Sequence, residues 1–131
     1  MSPDLKKVLI IEDSPTQASV ISSIVSDMGY TPAVYHSLNK SVSEVLEAET
    51  PALVLLDLRL LDEKGAPVGD GFQICKELKR IDKGLPVFIL SSEPQAEAAD
   101  WARMQGADAF LQKPFSPEDL RQLIVSYEGR S

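Results

Sequence analysis

The stretch LVLLD, residues 53–57, followed by LRLLDEKGAPVG at 58–69, decides the fold. Leu53, Val54, Leu55 and Leu56 are apolar without alternation. That pattern describes a strand covered on both faces, as in the middle of a parallel sheet. The run then stops on a carboxylate, Asp57, and a long polar loop follows. Burying an unpaired charge is costly, so an acid at the end of such a strand needs a reason.

Working outward, short apolar runs recur at 8–11, 32–35, 87–90 and 109–111. Amphipathic segments lie between and after them, near 15–28, 39–48, 72–81, 94–105 and 117–128. Strict alternation of strand and helix implies a parallel sheet with helices on both faces. Ser14-Pro15-Thr16-Gln17 offers a capping serine, a proline at the first helical position and a glutamine to cap back. Ser116-Pro117-Glu118-Asp119 repeats the device with acids in the first turn. Ser92-Glu93-Pro94-Gln95 is a looser version. Gly29, Gly84 and Gly106 mark helix ends. Ser37, Asn39 and Ser41 could each begin the second helix.

The 131 residues fit one domain, and 44% hydrophobic residues are enough to build a core. The apolar runs are far shorter than the roughly 18 residues of a membrane span. The first run ends in acids, unlike a signal peptide, so the expected location is cytoplasmic. One cysteine, Cys75, rules out internal disulfides and cysteine-based zinc sites. A net charge of −7 argues against a direct nucleic-acid or anionic-membrane surface, both of which need a basic face.

In open sheets of this kind, ligands bind beyond the carboxyl ends of the strands. Glu12 and Asp13 follow the first strand and Asp57 the third. The fourth ends on Ser91, and the fifth leads into Lys113-Pro114. Carboxylates about 5 Å apart at an effective dielectric near 20 repel by roughly 3 kcal/mol per pair. Either one stays protonated or a cation sits among them. Oxygen-only ligands with few carboxylates suit Mg²⁺. A divalent cation, a lysine and a hydroxyl around a carboxylate suit a phosphoryl group, with Asp57 as nucleophile.

The constellation Glu12-Asp13, Asp57, Ser91, Lys113-Pro114 resembles the receiver domain of bacterial two-component response regulators, over about 6–127 of a single domain spanning 1–131. The resemblance implies a flavodoxin-like, doubly wound (βα)5 fold with strand order 2-1-3-4-5, two helices on one face and three on the other. It implies Asp57 as phosphoacceptor and Asp13 as a direct Mg²⁺ ligand. It implies Glu12 as a second acid acting through water, and a metal-ligating backbone carbonyl at Arg59. Ser91 matches the switch hydroxyl, Lys113 the phosphate-binding lysine and Phe110 the switch aromatic. Arg59 and Glu93 flank the mouth of the site in this fold; paired there, they would obstruct hydrolytic water.

The implied partners are a histidine kinase or phosphotransfer protein and a downstream protein. The latter would bind the face made by the helix at 94–105, the fifth strand and the final helix. No DNA-binding segment follows, so a protein contact or phosphate shuttling is the expected output. The module would catalyse only its own phosphorylation and dephosphorylation. Two features depart from the family pattern. Asp70-Gly71 comes about six residues late, and Leu61 replaces the usual loop proline. Asp13-Ser14-Pro15-Thr16-Gln17 and the stretch from Trp101 through Phe115 look like single-domain receivers linked to type IV pilus (twitching) motility.

Two other readings stay open. An Mg²⁺-dependent phosphohydrolase of the haloacid dehalogenase type would form the same aspartyl phosphate. It would also carry a second acid two residues after the nucleophile, where this chain has Arg59. A pseudo-receiver would bind partners without taking phosphate. Among the remaining residues, Cys75 reads as a core-side position of the third helix and His36 as an exposed strand-edge residue. Trp101 reads either as half-buried core or as a partner anchor.

Overall fold

A computed structural model of the chain describes residues 6–36, 40–57, 69–91, 100, 103 and 106–128, the side chains of 69–72 and 128 excepted. Five parallel strands form one sheet: β1 (Lys7–Glu12), β2 (Thr31–Tyr35), β3 (Leu53–Asp57), β4 (Val87–Ser91) and β5 (Ala109–Gln112). Their order is β2-β1-β3-β4-β5, as the family resemblance implied. The described helices are α1 (Pro15–Asp27), α2 (Val42–Glu49), α3 (Gly69–Ile81) and α4 (Pro117–Glu128). The helix expected at 94–105 falls largely outside the described residues.

The sheet divides its side chains between two cores, because successive residues of a strand face opposite ways. Val8 and Ile10 pack with Ile21, Ile24 and Val25 of α1 and with Leu120 and Ile124 of α4. Leu9 and Ile11 pack on the other face with Val45 and Leu46 of α2 and Cys75 and Leu78 of α3. β3 and β4 are buried along their whole length. The edge strands β2 and β5 are only partly covered. Each fully buried aliphatic side chain contributes about 1.5–3 kcal/mol, so the three inner strands are the thermodynamic centre of the domain.

Local signals set the helix ends. Ser14 caps α1, accepting a hydrogen bond from Gln17 N at 3.4 Å. Of the three candidates for the second helix, Ser41 is the cap, and it closes a capping box with Glu44. Ser116 and Asp119 cap α4 reciprocally, at 3.1 and 3.0 Å. Gly29 and Gly106 take left-handed φ values of +94° and +91°, which a side chain would resist. Thr50 closes α2 at φ +42°. Two expectations need correcting. Gly84 does not end α3, which stops at Ile81; Asp82 Oδ1 accepts from Gly84 N at 3.1 Å and makes that turn. α3 begins at Gly69, three residues early, so Asp70-Gly71 belongs to its first turn.

Candidate functional site

β1 is flanked by β2 on one side and β3 on the other, which makes its carboxyl end the switch point of the sheet. The three acids meet there. Glu12 and Asp57 are the last residues of their strands and register partners across the β1–β3 ladder. They belong to the strands rather than lying beyond them, and so does Ser91 at the end of β4. All three are buried, at 1%, 5% and 3% exposure. The β1–β3 ladder thus sets two buried carboxylates side by side.

Lys113 supplies the compensating charge. Its backbone N–H donates to Ser91 O at 2.7 Å, so β4 places the residue. Its Nζ stands 2.6 Å from Asp57 Oδ2 and 3.4 Å from Glu12 Oε2. The contact with Glu12 is a hydrogen bond, while the approach to Asp57 lies outside hydrogen-bond geometry. Asp57 Oδ2 is therefore buried beside a cation yet accepts no hydrogen bond among the described residues. Lys113 Nζ also donates to Gln17 Oε1 of α1.

Glu12 is held in place from both ends. Its Oε1 accepts from Ser14 N at 3.0 Å. Its backbone oxygen lies 2.9 Å from His36 Nδ1. Burial, then the adjoining Asp57 carboxyl, push the Glu12 carboxyl above the usual carboxylate range. Asp13 is exposed at the rim, and its hydrogen bond with Glu12 raises it as well. Glu12 therefore couples to both aspartates, and the pocket resists holding three negative charges at once.

A metal fits this chemistry. Among the described residues, no three Asp, Glu, His or Cys side chains are grouped so that together they could hold a metal ion. Mg²⁺ does not need such a group, since it binds through one or two carboxylates and keeps several waters. The orphaned Asp57 Oδ2, with Glu12 and Asp13 beside it, gives oxygen donors of the right kind. Phe110 sits on β5 opposite Ile89, half-buried against the α2–α3 core. The structure thus gathers Glu12, Asp13, Asp57, Ser91 and Lys113 at one edge and sets Phe110 one strand away. Arg59, Glu93 and Trp101 lie outside the described residues. Among these, no helix is long and apolar enough to cross a membrane.

Sequence reading missed Gln17. It was expected to cap α1 back onto Ser14. Instead Glu12 takes the Ser14 N–H, and the glutamine carboxamide turns toward Lys113. The capping pattern in the sequence hid this role. His36 is exposed, as expected, but it also braces the Glu12 backbone.

Comparison with known proteins agrees with the geometry. The family model described as response regulator receiver domain matches residues 8–125. The DNA-binding response regulator MtrA of Mycolicibacterium smegmatis is 30% identical over 115 residues, 88% of this chain and 47% of that protein. The phosphate regulon transcriptional regulatory protein PhoB of Escherichia coli is 29% identical over 117 residues, 88% of this chain and 48% of that protein. The chain thus spans about half the length of these curated relatives. Among solved structures, a CheY-like receiver domain protein from Methanospirillum hungatei superposes with a TM-score of 0.78 at 22% identity, covering 95% of this chain and 94% of that one. A two-component response regulator from Clostridium difficile reaches 0.79 at 18% identity, covering 95% and 97%. The family match over nearly the whole chain, joined to the strand order and the acid-lined switch point, shows that this chain belongs to the receiver domains of two-component response regulators.

Proposed function

We propose that the domain takes a phosphoryl group from the phosphohistidine of a kinase or phosphotransfer protein onto Asp57. One observation carries this reading. Asp57 is buried at the end of β3, with the Lys113 ammonium 2.6 Å from its Oδ2 and Glu12 as its register partner on β1. A carboxylate so placed can attack phosphorus. The new O–P bond forms as the P–N bond of the donor breaks, and the histidine leaves with the electron pair. Lys113 stands ready to bind a phosphoryl oxygen, and Ser91 lies at the adjacent strand end to donate a second contact. Asp13 and Asp57 would hold Mg²⁺, with Glu12 acting through water, and the metal's charge would offset that of the incoming phosphoryl group. The carbonyl of Arg59 is the remaining candidate ligand.

Phosphorylation then biases a two-state element, Ser91 with Phe110. The readout surface is β5 with α4 and the segment 94–105, and its partner is a protein, in keeping with the net charge of −7. MtrA and PhoB are named as a DNA-binding and a transcriptional regulator; for this chain, the receiver itself is proposed to contact protein rather than nucleic acid. Its only catalysis is on its own aspartate, and its site of action is the cytoplasm. A motility defect after removal of the protein would support the proposed role in type IV pilus function, and normal twitching would end it.

The deciding experiment is incubation with acetyl phosphate and Mg²⁺, read by intact-protein mass spectrometry. One phosphoryl group should add, and Asp57→Asn should abolish it. Equal labelling of the variant would overturn the assignment. Turnover of a generic phosphoester would favour the hydrolase reading, and no labelling of wild type the pseudo-receiver.

A further inference from the structure

We propose that His36 is a positioning residue for the metal end of the site: its imidazole Nδ1–H holds the peptide between Glu12 and Asp13 and so aims the Asp13 carboxylate. The inference rests on the receiver reading and deepens it. His36 Nδ1 lies 2.9 Å from Glu12 O. A carbonyl oxygen can only accept, so Nδ1 is the nitrogen that carries the proton. That bond fixes the neutral ring as the Nδ1–H tautomer, with Nε2 unprotonated.

The backbone explains why a side chain is needed there. Successive carbonyls of a strand turn to its two neighbours in alternation. Lys6 O, just before β1, accepts from Thr31 N of β2, and Lys7 O accepts from Ala52 N, just before β3. Continued along β1, that alternation turns Glu12 O toward β2. The β1–β2 pairing ends at Ile11 with Tyr35, one residue short of it. The β1–β3 pairing runs on to Glu12 with Asp57. Among the described residues, Glu12 is thus paired on the β3 side only, and His36, the first residue after β2, reaches across to its carbonyl. The same peptide unit ends in the Asp13 N–H, which donates to the Asp13 carboxylate. One peptide plane therefore joins the imidazole to the acid that the receiver reading makes a direct Mg²⁺ ligand. Asp13 is exposed at the rim, so its direction depends on outer partners of this kind.

The test uses the intact chain, Mg²⁺ alone, and a spectroscopic readout that needs neither metal nor phosphorylation. His36 is the chain's single histidine, so its ring resonances are unambiguous. In metal-free protein at pH 8, long-range ¹H–¹⁵N spectra should place the proton on Nδ1; a proton on Nε2 would overturn the proposal. By calorimetric titration with Mg²⁺, His36→Leu should bind about twofold to fivefold more weakly, the lower part of the range for one neutral hydrogen bond, because it acts through the peptide. His36→Asn puts an N–H donor one bond from Cγ, where Nδ1 stood, and should recover most of the loss. Equal weakening in His36→Asn and His36→Leu would overturn the proposal, since the bulk of the ring rather than its proton would then matter. His36 is exposed, so the thermal midpoint should not move; His36→Ala is the second donor-free variant if it does. Unchanged Mg²⁺ affinity in both donor-free variants would overturn the proposal, and so would a wild type that binds no Mg²⁺. If wild type takes no phosphoryl group from acetyl phosphate while the tautomer and the Mg²⁺ pattern hold, the receiver reading fails and the His36 brace stands.

Discussion

Replacing Lys113 by methionine keeps the chain length and removes the charge. In wild type, Nζ is 2.6 Å from Asp57 Oδ2 and 3.4 Å from Glu12 Oε2, and the lysine side chain is only 19% exposed. At an effective dielectric near 20, those separations correspond to roughly 6 and 5 kcal/mol of gross attraction, before the cost of desolvating the charges. Breaking one side of a buried ion pair typically costs about 3–5 kcal/mol. Glu12 can relieve part of the strain by taking a proton, since burial and Asp57 already raise its carboxyl. The net loss in metal-free buffer should therefore be about 2–3 kcal/mol. For a domain of this size that lowers the melting temperature by roughly 6–15 °C. Mg²⁺ should reverse the loss and more. The ammonium and the metal compete for the same carboxylates, so the variant should bind Mg²⁺ more tightly. Each tenfold gain in affinity adds about 1.4 kcal/mol at saturation. Thermal unfolding followed by circular dichroism, in chelator and in excess Mg²⁺, measures both effects. An unchanged metal-free midpoint, or a Mg²⁺-induced gain no larger than that of wild type, would refute the reasoning.

Three further outcomes are expected. Burial pushes the Cys75 thiol up to about 11, so a thiol reagent at pH 8 should modify the native protein only as fast as the domain opens; rapid modification without unfolding would contradict its place in the core. The Tyr35 hydroxyl at 2.6 Å, then Lys7 at 3.0 Å, hold the Glu49 carboxyl below its usual 4.5. Its stabilising contribution is therefore present above that value and is lost as pH falls through the lower folded-state pKa. Urea unfolding across acidic pH should show a shallower decline in Glu49→Gln. Phe88 is fully buried and meets Tyr127 edge-on at 4.8 Å and 64°, so Phe88→Ala should cost about 3–5 kcal/mol in denaturant unfolding; a cost below about 1 kcal/mol would show that the site can collapse around the gap.

Patterns that act over a few residues were legible in the chain itself. The unalternating run before Asp57 announced a strand covered on both sides, and β3 is buried from end to end. Serine–proline pairs located the starts of α1 and α4, because a cap is made within one turn. The ordered acids, serine and lysine at strand ends named side chains that the structure gathers at one edge of the sheet. Boundaries were less legible. Nothing local distinguishes Gly84, in a turn closed by Asp82, from a helix-ending glycine, or marks Thr50 as left-handed. The partners of each site residue were decided only by tertiary packing. Gln17 and Lys113 are 96 positions apart. Their contact depends on how α1 seats against the sheet and on β4 pinning the Lys113 backbone. Glu12 illustrates the same point. Its residue type and place at a strand end could be read in advance, but not its competition with Gln17 for the Ser14 N–H. A hydrogen bond goes to whichever acceptor the folded backbone brings into line, and that alignment is a property of the assembled sheet and helices rather than of any short segment.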